Sequence, residues 1–279
     1  PMKQVRRSDV EIWIKQMNAA GLAPGTIKTR YVNVRSVFRA AVKDRVIGTD
    51  PTDAVRLPRG RRPDIAMSIP TPEDVGQLMA VADERFQPLI ALCAFAGLRL
   101  GAAAGVQLGD VDFLRQSPQV SRQVQRVNGG AIDVRAPKYG SERVVYLADR
   151  LVTVLSQHVA AHGTTGKERW LFAGDGDDPP HQNTVSYWWR RTLRDAELSG
   201  IKLHDLRHFY ASGLIAAGCD VVTVQRSLGH SKATTTLNTY APLWPTAEDR
   251  TRTAPEAGKS TPPGAPAGRL AGNERCTGG

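Results

Sequence analysis

The stretch His204-Asp205-Leu206-Arg207-His208 is followed by Leu228-Gly229-His230 and then by Thr234-Thr235-Thr236-Leu237-Asn238-Thr239-Tyr240. His204 and Arg207 stand three apart, so a helix presents both on one face and one ligand can meet both. Gly229 suits the left-handed turn that closes a helix, which puts His230 just past its end. Upstream, Arg99 in Gly97-Leu98-Arg99 and Lys138 in Ala136-Pro137-Lys138-Tyr139-Gly140-Ser141 add two cations. Together these residues form a set able to attack a phosphodiester without a metal.

Working outward, the periodicity predicts helices over 203–217, 221–228 and 233–240, preceded by helices over 149–162 and 183–196. Between 119 and 147 the period changes. Val120, Val124 and Val127, then Ile132 and Val134, then Val144, Val145 and Leu147 predict three short strands, with Asn128-Gly129-Gly130 and Tyr139-Gly140-Ser141 as turns. Helices over 72–82 and 86–97 come before them. Thr71 is a good N-cap, Pro72 suits the first helical position, and Glu73 and Asp74 favour the positive end of the helix dipole. At the N-terminus, helices are expected over 8–20 and 26–45, the second capped by Thr26. Ile27, Tyr31, Val34, Phe38 and Val42 make its apolar stripe, and Lys28, Arg35, Arg39 and Lys43 cluster on the flank. The expected class is mostly α with a small antiparallel sheet, an α+β chain. Its expected parts are a helical domain over 1–58, a basic linker over 59–70, a second domain over 71–245 and a disordered tail over 246–279.

Charge is distributed unevenly. The net charge is +10, and residues 1–62 hold 14 Lys and Arg against 5 Asp and Glu. A basic first domain suits a polyanionic partner, and the linker arginines Arg59, Arg61 and Arg62 suit a strap lying along phosphates. The chain's 41% hydrophobic content supports packed cores. No apolar run reaches the roughly 18 residues of a membrane helix, and no signal pattern opens the chain. Three widely spaced cysteines argue against a disulfide framework, so a reducing cytoplasm is expected.

Attack on a DNA phosphodiester builds negative charge on the non-bridging oxygens. Arginine suits that charge because its planar fork donates two hydrogen bonds and stays charged. Arg99 and Arg207 are the candidates. His204 and His208 also have the four-residue spacing of zinc helices, but no Cys pair or second His pair completes four ligands. No metal or cofactor is therefore expected, and His208 is read as packing or capping.

The motifs quoted above resemble those of the tyrosine recombinases, or phage integrase family, over about residues 5–245. The resemblance implies a two-domain DNA clamp with an integrase-like catalytic domain. It implies that Tyr240 is the nucleophile, because among the six tyrosines it alone follows the histidine box at the family's spacing. His204, or a water it holds, would assist. Arg99, Arg207 and His230 would hold the scissile phosphate, and Lys138 would protonate the leaving 5′ oxygen. The resulting 3′-phosphotyrosyl bond keeps the energy of the broken one, so a second DNA hydroxyl can reseal it without ATP. The implied activity is site-specific recombination of a phage or mobile element by a homotetramer on double-stranded DNA sites, nucleoid-associated in a bacterial host. Two departures stand out. Ala102 occupies a position usually acidic in the family, and the first domain is expected to be truncated by about one helix. A type IB topoisomerase and a catalytically impaired DNA-binding relative remain open alternatives.

Overall fold

The computed structural model describes residues 1–58, 67–127, 131–137 and 140–244, arranged in two compact units, Pro1–Met67 and Ser68–Gly279. Four candidate residues, Lys138, Arg59, Arg61 and Arg62, lie outside the described residues, as do the Asn128-Gly129-Gly130 turn and the expected tail over 246–279.

In the first unit, α1 (Arg7–Ala19) and α2 (Pro24–Lys43) pack through a small core. Val10, Ile14 and Met17 of α1 recur at helical spacing and meet Ile27 and Tyr31 of α2. Each such side chain, fully buried, stabilises the fold by about 1.5–3 kcal/mol. The Tyr31 hydroxyl donates to the Thr52 carbonyl at 2.7 Å, tying the following loop to the helix. α2 starts earlier than expected. Pro24 takes its first turn and Ala23 flanks it, so Thr26 is an interior residue and not the cap. Proline's fixed φ and missing N–H fit that first position. Phe38 and Ala41 continue the buried face, whereas Val34 and Val42 of the expected stripe are only half-buried.

The second unit is built around α4 (Gln87–Phe95), in which every residue from Pro88 to Ala94 is buried. A helix apolar on all sides has to sit at the centre of its domain. Around it lie α3 (Pro72–Val81), α5 (Leu100–Ala104), α6 (Asp149–His162) and α8 (Asp205–Ala216). The start of α3 is locked reciprocally: Asp74 N–H donates to Thr71 Oγ1 at 3.1 Å, and Thr71 N–H to Asp74 Oδ2 at 2.9 Å.

The strands depart from expectation. Five short strands form two antiparallel sheets, where three strands in one sheet were expected. These are β1 (Val111–Asp112), β2 (Ser117–Val120), β3 (Gln123–Arg126), β4 (Ile132–Arg135) and β5 (Arg143–Val144). β1, β2 and β5 form one sheet, with Val120 opposite Arg143; β3 and β4 form a separate ladder, with Val124 opposite Val134. The chain leaves the first ladder at Ser121–Arg122, where Arg122 turns to an ion pair with Asp110. Val120 and Val124, one apolar series in the sequence, thus serve different sheets. Gly101 lets α5 lie directly on β3, since a Cβ there would meet the Val124 carbonyl oxygen at 2.7 Å.

α7 (Gln182–Asp195), α9 (Val221–Leu228) and α10 (Ala233–Tyr240) complete the unit within a residue of their expected starts. No described helix is long and apolar enough to cross a membrane.

Candidate active site

Three local devices aim the functional side chains. Gly97, just after α4, takes φ +61°, and a Cβ there would lie 2.3 Å from the Tyr210 ring. Only glycine allows that close approach, and the chain then turns to place Arg99 at the extended N-cap position of α5. Asp205 opens α8 by accepting from Lys202 N–H at 2.8 Å, which sets His204, Arg207 and His208 on the first turns. Asp220 caps α9 by accepting from the N–H groups of Val222 and Thr223, and Gly229 closes it in the left-handed conformation. His230 then emerges toward α10, where its Nδ1 meets Thr236 Oγ1 at 2.9 Å.

Arg207 joins these pieces. It is 1% exposed, and its two terminal nitrogens donate to the carbonyls of Gly97 and Leu228. One guanidinium therefore ties the turn before α5 to the end of α9. Of its five N–H donors, two serve these carbonyls, leaving others for a ligand.

Arg99, Arg207, His204, His230 and Tyr240 form one electrostatic cluster. Burial, followed by repulsion from Arg99 and Arg143, lowers the Arg207 pKa to about 9. Burial, then the cations Arg207, Arg99 and Arg143, holds His230 down to about 4. His204, the N-cap residue of α8, is partly open to solvent. Loss of solvent on its inner side, then His208, Arg207 and Arg99, brings it to about 4 as well. Both imidazoles are therefore neutral near pH 7. Tyr240, the last residue of α10, is 1% exposed. Burial pushes its phenol up to about 12, against the downward pull of Arg207 and Arg99. These cations would be relieved by an anion placed among them, and a phosphodiester is one.

Two members of this cluster escaped the sequence reading. Arg143 of β5 donates through Nε to the Ser227 carbonyl at 2.9 Å and through Nη1 to the Ser141 carbonyl at 3.3 Å. Its Nη2 is buried without a hydrogen-bond partner among the described residues. Burial, then Arg99, lowers its pKa to about 10, and it flanks an open cleft with Gly229 and His230. Nothing in a two-residue strand distinguishes this arginine from a solvated one. The second is His208, whose Nδ1 lies 2.7 Å from the Tyr240 hydroxyl oxygen. His208 packs, as expected, and its partner in that packing is the Tyr240 ring and hydroxyl. Its four-residue spacing from His204 was the available signal, and the two rings do meet edge-to-face, 5.0 Å between centroids.

On α2, Lys28, Arg39 and Lys43 are exposed along one flank. Arg35 is half-buried and engages Asp53 at 3.5 Å, so it is already partnered.

Residues 70–245 match the model of the phage integrase family. The chain is 23% identical to the ICEBs1 integrase of Bacillus subtilis (strain 168), a match spanning 88% of this chain and 68% of that protein. It is 26% identical to a tyrosine recombinase of Thermosipho africanus (strain TCF52B), spanning 84% of this chain and 80% of the relative. Its fold is similar to that of the Tn1549 transposon integrase solved with a circular intermediate DNA. That match has a TM-score of 0.75 at 21% identity and covers 92% of this chain and 86% of the other. With its family match covering most of the chain, this protein belongs to the phage integrase family, the tyrosine recombinases, enzymes that cut and rejoin DNA in site-specific recombination.

Proposed function

We propose that Tyr240 is the nucleophile of this recombinase and that Arg99, Arg207, His204 and His230 bind the scissile phosphate. The observation that carries this reading is the Tyr240 hydroxyl, buried within the field of Arg207 and Arg99. A phenolate forming there is stabilised by the same cations that would stabilise the pentacoordinate phosphorane. Preorganised donors of this kind typically contribute about 10²–10³ in rate each. The Tyr240 oxygen attacks phosphorus, the bond to the 5′ oxygen breaks, and Lys138 supplies the proton to that leaving oxygen. Arg143, with one buried nitrogen unpartnered among the described residues, is a further donor suited to the phosphate.

The unit Pro1–Met67 is assigned to gripping the duplex through Lys28, Arg39 and Lys43 of α2 and the linker arginines Arg59, Arg61 and Arg62, with a smaller share for Arg35. The unit from Ser68 onward is assigned the chemistry. A homotetramer on two synapsed sites, exchanging one strand pair at a time, is the working assembly. The likeness to an integrase seen on circular intermediate DNA supports a double-stranded partner from a mobile element.

The test is a nicked suicide duplex carrying a site that the protein itself selects from random sequence. Wild type is expected to form a covalent 3′-phosphotyrosyl adduct. Tyr240→Phe is expected to form none while binding DNA within a few-fold of wild type, because only the nucleophilic oxygen is lost. An adduct from the phenylalanine variant would remove Tyr240 from its assigned role. Four-way junctions in place of relaxed plasmid are the expected product.

A further inference from the structure

Resting on the assignment of Tyr240 as nucleophile, we infer that His208 is a catalytic residue: its Nδ1 orients the Tyr240 hydroxyl and takes its proton during cleavage. The contact is direct, at 2.7 Å, and the two rings meet edge-to-face with centroids 5.5 Å apart. Both partners are anchored. His208 sits one turn along α8 from His204, whose ring braces it. Tyr240 ends α10, which packs on α9, and Thr236, one turn earlier, is fully buried against His230.

The hydrogen bond has a preferred direction. A phenol buried at this depth holds its proton, and the imidazole is kept neutral, first by burial and then by Arg207, with Asp205 acting in the opposite sense. The pair is therefore a hydroxyl donor on a neutral ring nitrogen, with the imidazole proton on Nε2. The charged and titratable groups around His208 are Asp205 and Arg207 on its own helix, His204 just before it and Tyr240 from α10. Cys93 of α4 acts on Arg207, which in turn acts on His230 beyond α9.

The step balances. As the Tyr240 oxygen forms its bond to phosphorus, its proton passes to His208 Nδ1, leaving an imidazolium with hydrogen on both nitrogens. The bond from phosphorus to the 5′ oxygen breaks, and that oxygen takes its proton from Lys138, a separate acid. On rejoining, His208 returns the same proton to the departing Tyr240 oxygen. A base that stays beside the phenol makes the two half-reactions mirror images.

The experiment is single-turnover adduct formation on the self-selected nicked duplex between pH 5 and 8, for wild type, His208→Gln and His208→Ala. Glutamine can still accept the hydroxyl hydrogen bond but cannot take the proton. His208→Gln is expected to bind DNA within a few-fold of wild type and to form the Tyr240 adduct about 100-fold more slowly at pH 7, the scale of a lost general base. The fall in wild-type rate on acidification below pH 6.5 is expected to be missing from both variants. A wild-type rate in His208→Gln, or a uniform loss that keeps the acid limb, overturns the inference while leaving Tyr240 as nucleophile. No adduct from wild type overturns the nucleophile assignment itself, and this inference with it. A measurement on wild type keeps the question open to refutation if the variants misfold. Nitrogen NMR of ¹⁵N-histidine protein at pH 7, with His208 assigned by its shift in Tyr240→Phe, is expected to show Nδ1 bare and Nε2 protonated. The opposite tautomer overturns the inference.

Discussion

Arg207 is structural in this fold and, in the proposed mechanism, chemical as well. Its fork reaches the carbonyls of Gly97 and Leu228, which belong to segments more than 100 residues apart in sequence, and it is almost fully buried. A lysine ammonium is a point charge and cannot reproduce that planar, two-armed geometry. Arg207→Lys is therefore expected to slow adduct formation by about 10²–10³, although the charge is kept. Arg207→Ala is expected to lose stability as well, about 1–3 kcal/mol for each carbonyl left unsatisfied. Single-turnover cleavage and urea unfolding on both variants separate the two effects. Should the lysine variant cleave like wild type, the fork geometry would have no part in the chemistry.

At the scale of elements, α2 carries the clearest division of labour. Its buried face, Ile27, Tyr31, Phe38 and Ala41, holds the first unit together, and Lys28, Arg39 and Lys43 lie on an exposed flank. Arg35 belongs to that flank by spacing but is drawn to Asp53. Replacing Lys28, Arg39 and Lys43 with alanine is expected to weaken DNA binding. If each neutralises one phosphate, the slope of log affinity against log salt falls by up to about 0.9 per residue. Arg35→Ala alone should change that slope less. Fluorescence anisotropy at several salt concentrations reads both, and a slope unmoved by the triple change would turn attention to Arg59, Arg61 and Arg62.

For the whole molecule, the cation cluster couples stability to pH. His230 and His204 have folded pKa values near 4, below the ordinary 6.5. A base whose pKa is depressed on folding binds more protons when unfolded, so its contribution is intact above pH 6.5 and is lost as pH falls toward 4. His230, less exposed than His204, should carry more of this effect. Urea unfolding at pH 7.5, 5.5 and 4.5 is expected to show declining stability, with a shallower decline in His230→Gln. Equal declines in the two proteins would mean that His230 does not contribute. Bound DNA should shift both histidines upward and make the complex less acid-sensitive than the free protein.

Much of the molecule was legible in the amino-acid order because local rules act over a few residues. The helix starts at Pro72, Asp149 and Val221 follow from caps, prolines and apolar spacing, and the order of Arg99, His204, Arg207, His230 and Tyr240 is what suggests the proposed site. Local rules failed where partners lie far apart. Val120 and Val124 fall in two different sheets across a break where Arg122 pairs with Asp110, and Pro24, not Thr26, opens α2. Arg143 enters the site only because β5 pairs with β2 and lies against the end of α9. His208 meets Tyr240 across 32 residues because α8, α9 and α10 pack together. Sequence by itself determined which residues could react, since that is a property of side-chain type and short spacing. Tertiary packing decided which groups are buried beside one another, and burial and neighbouring charge set their protonation states.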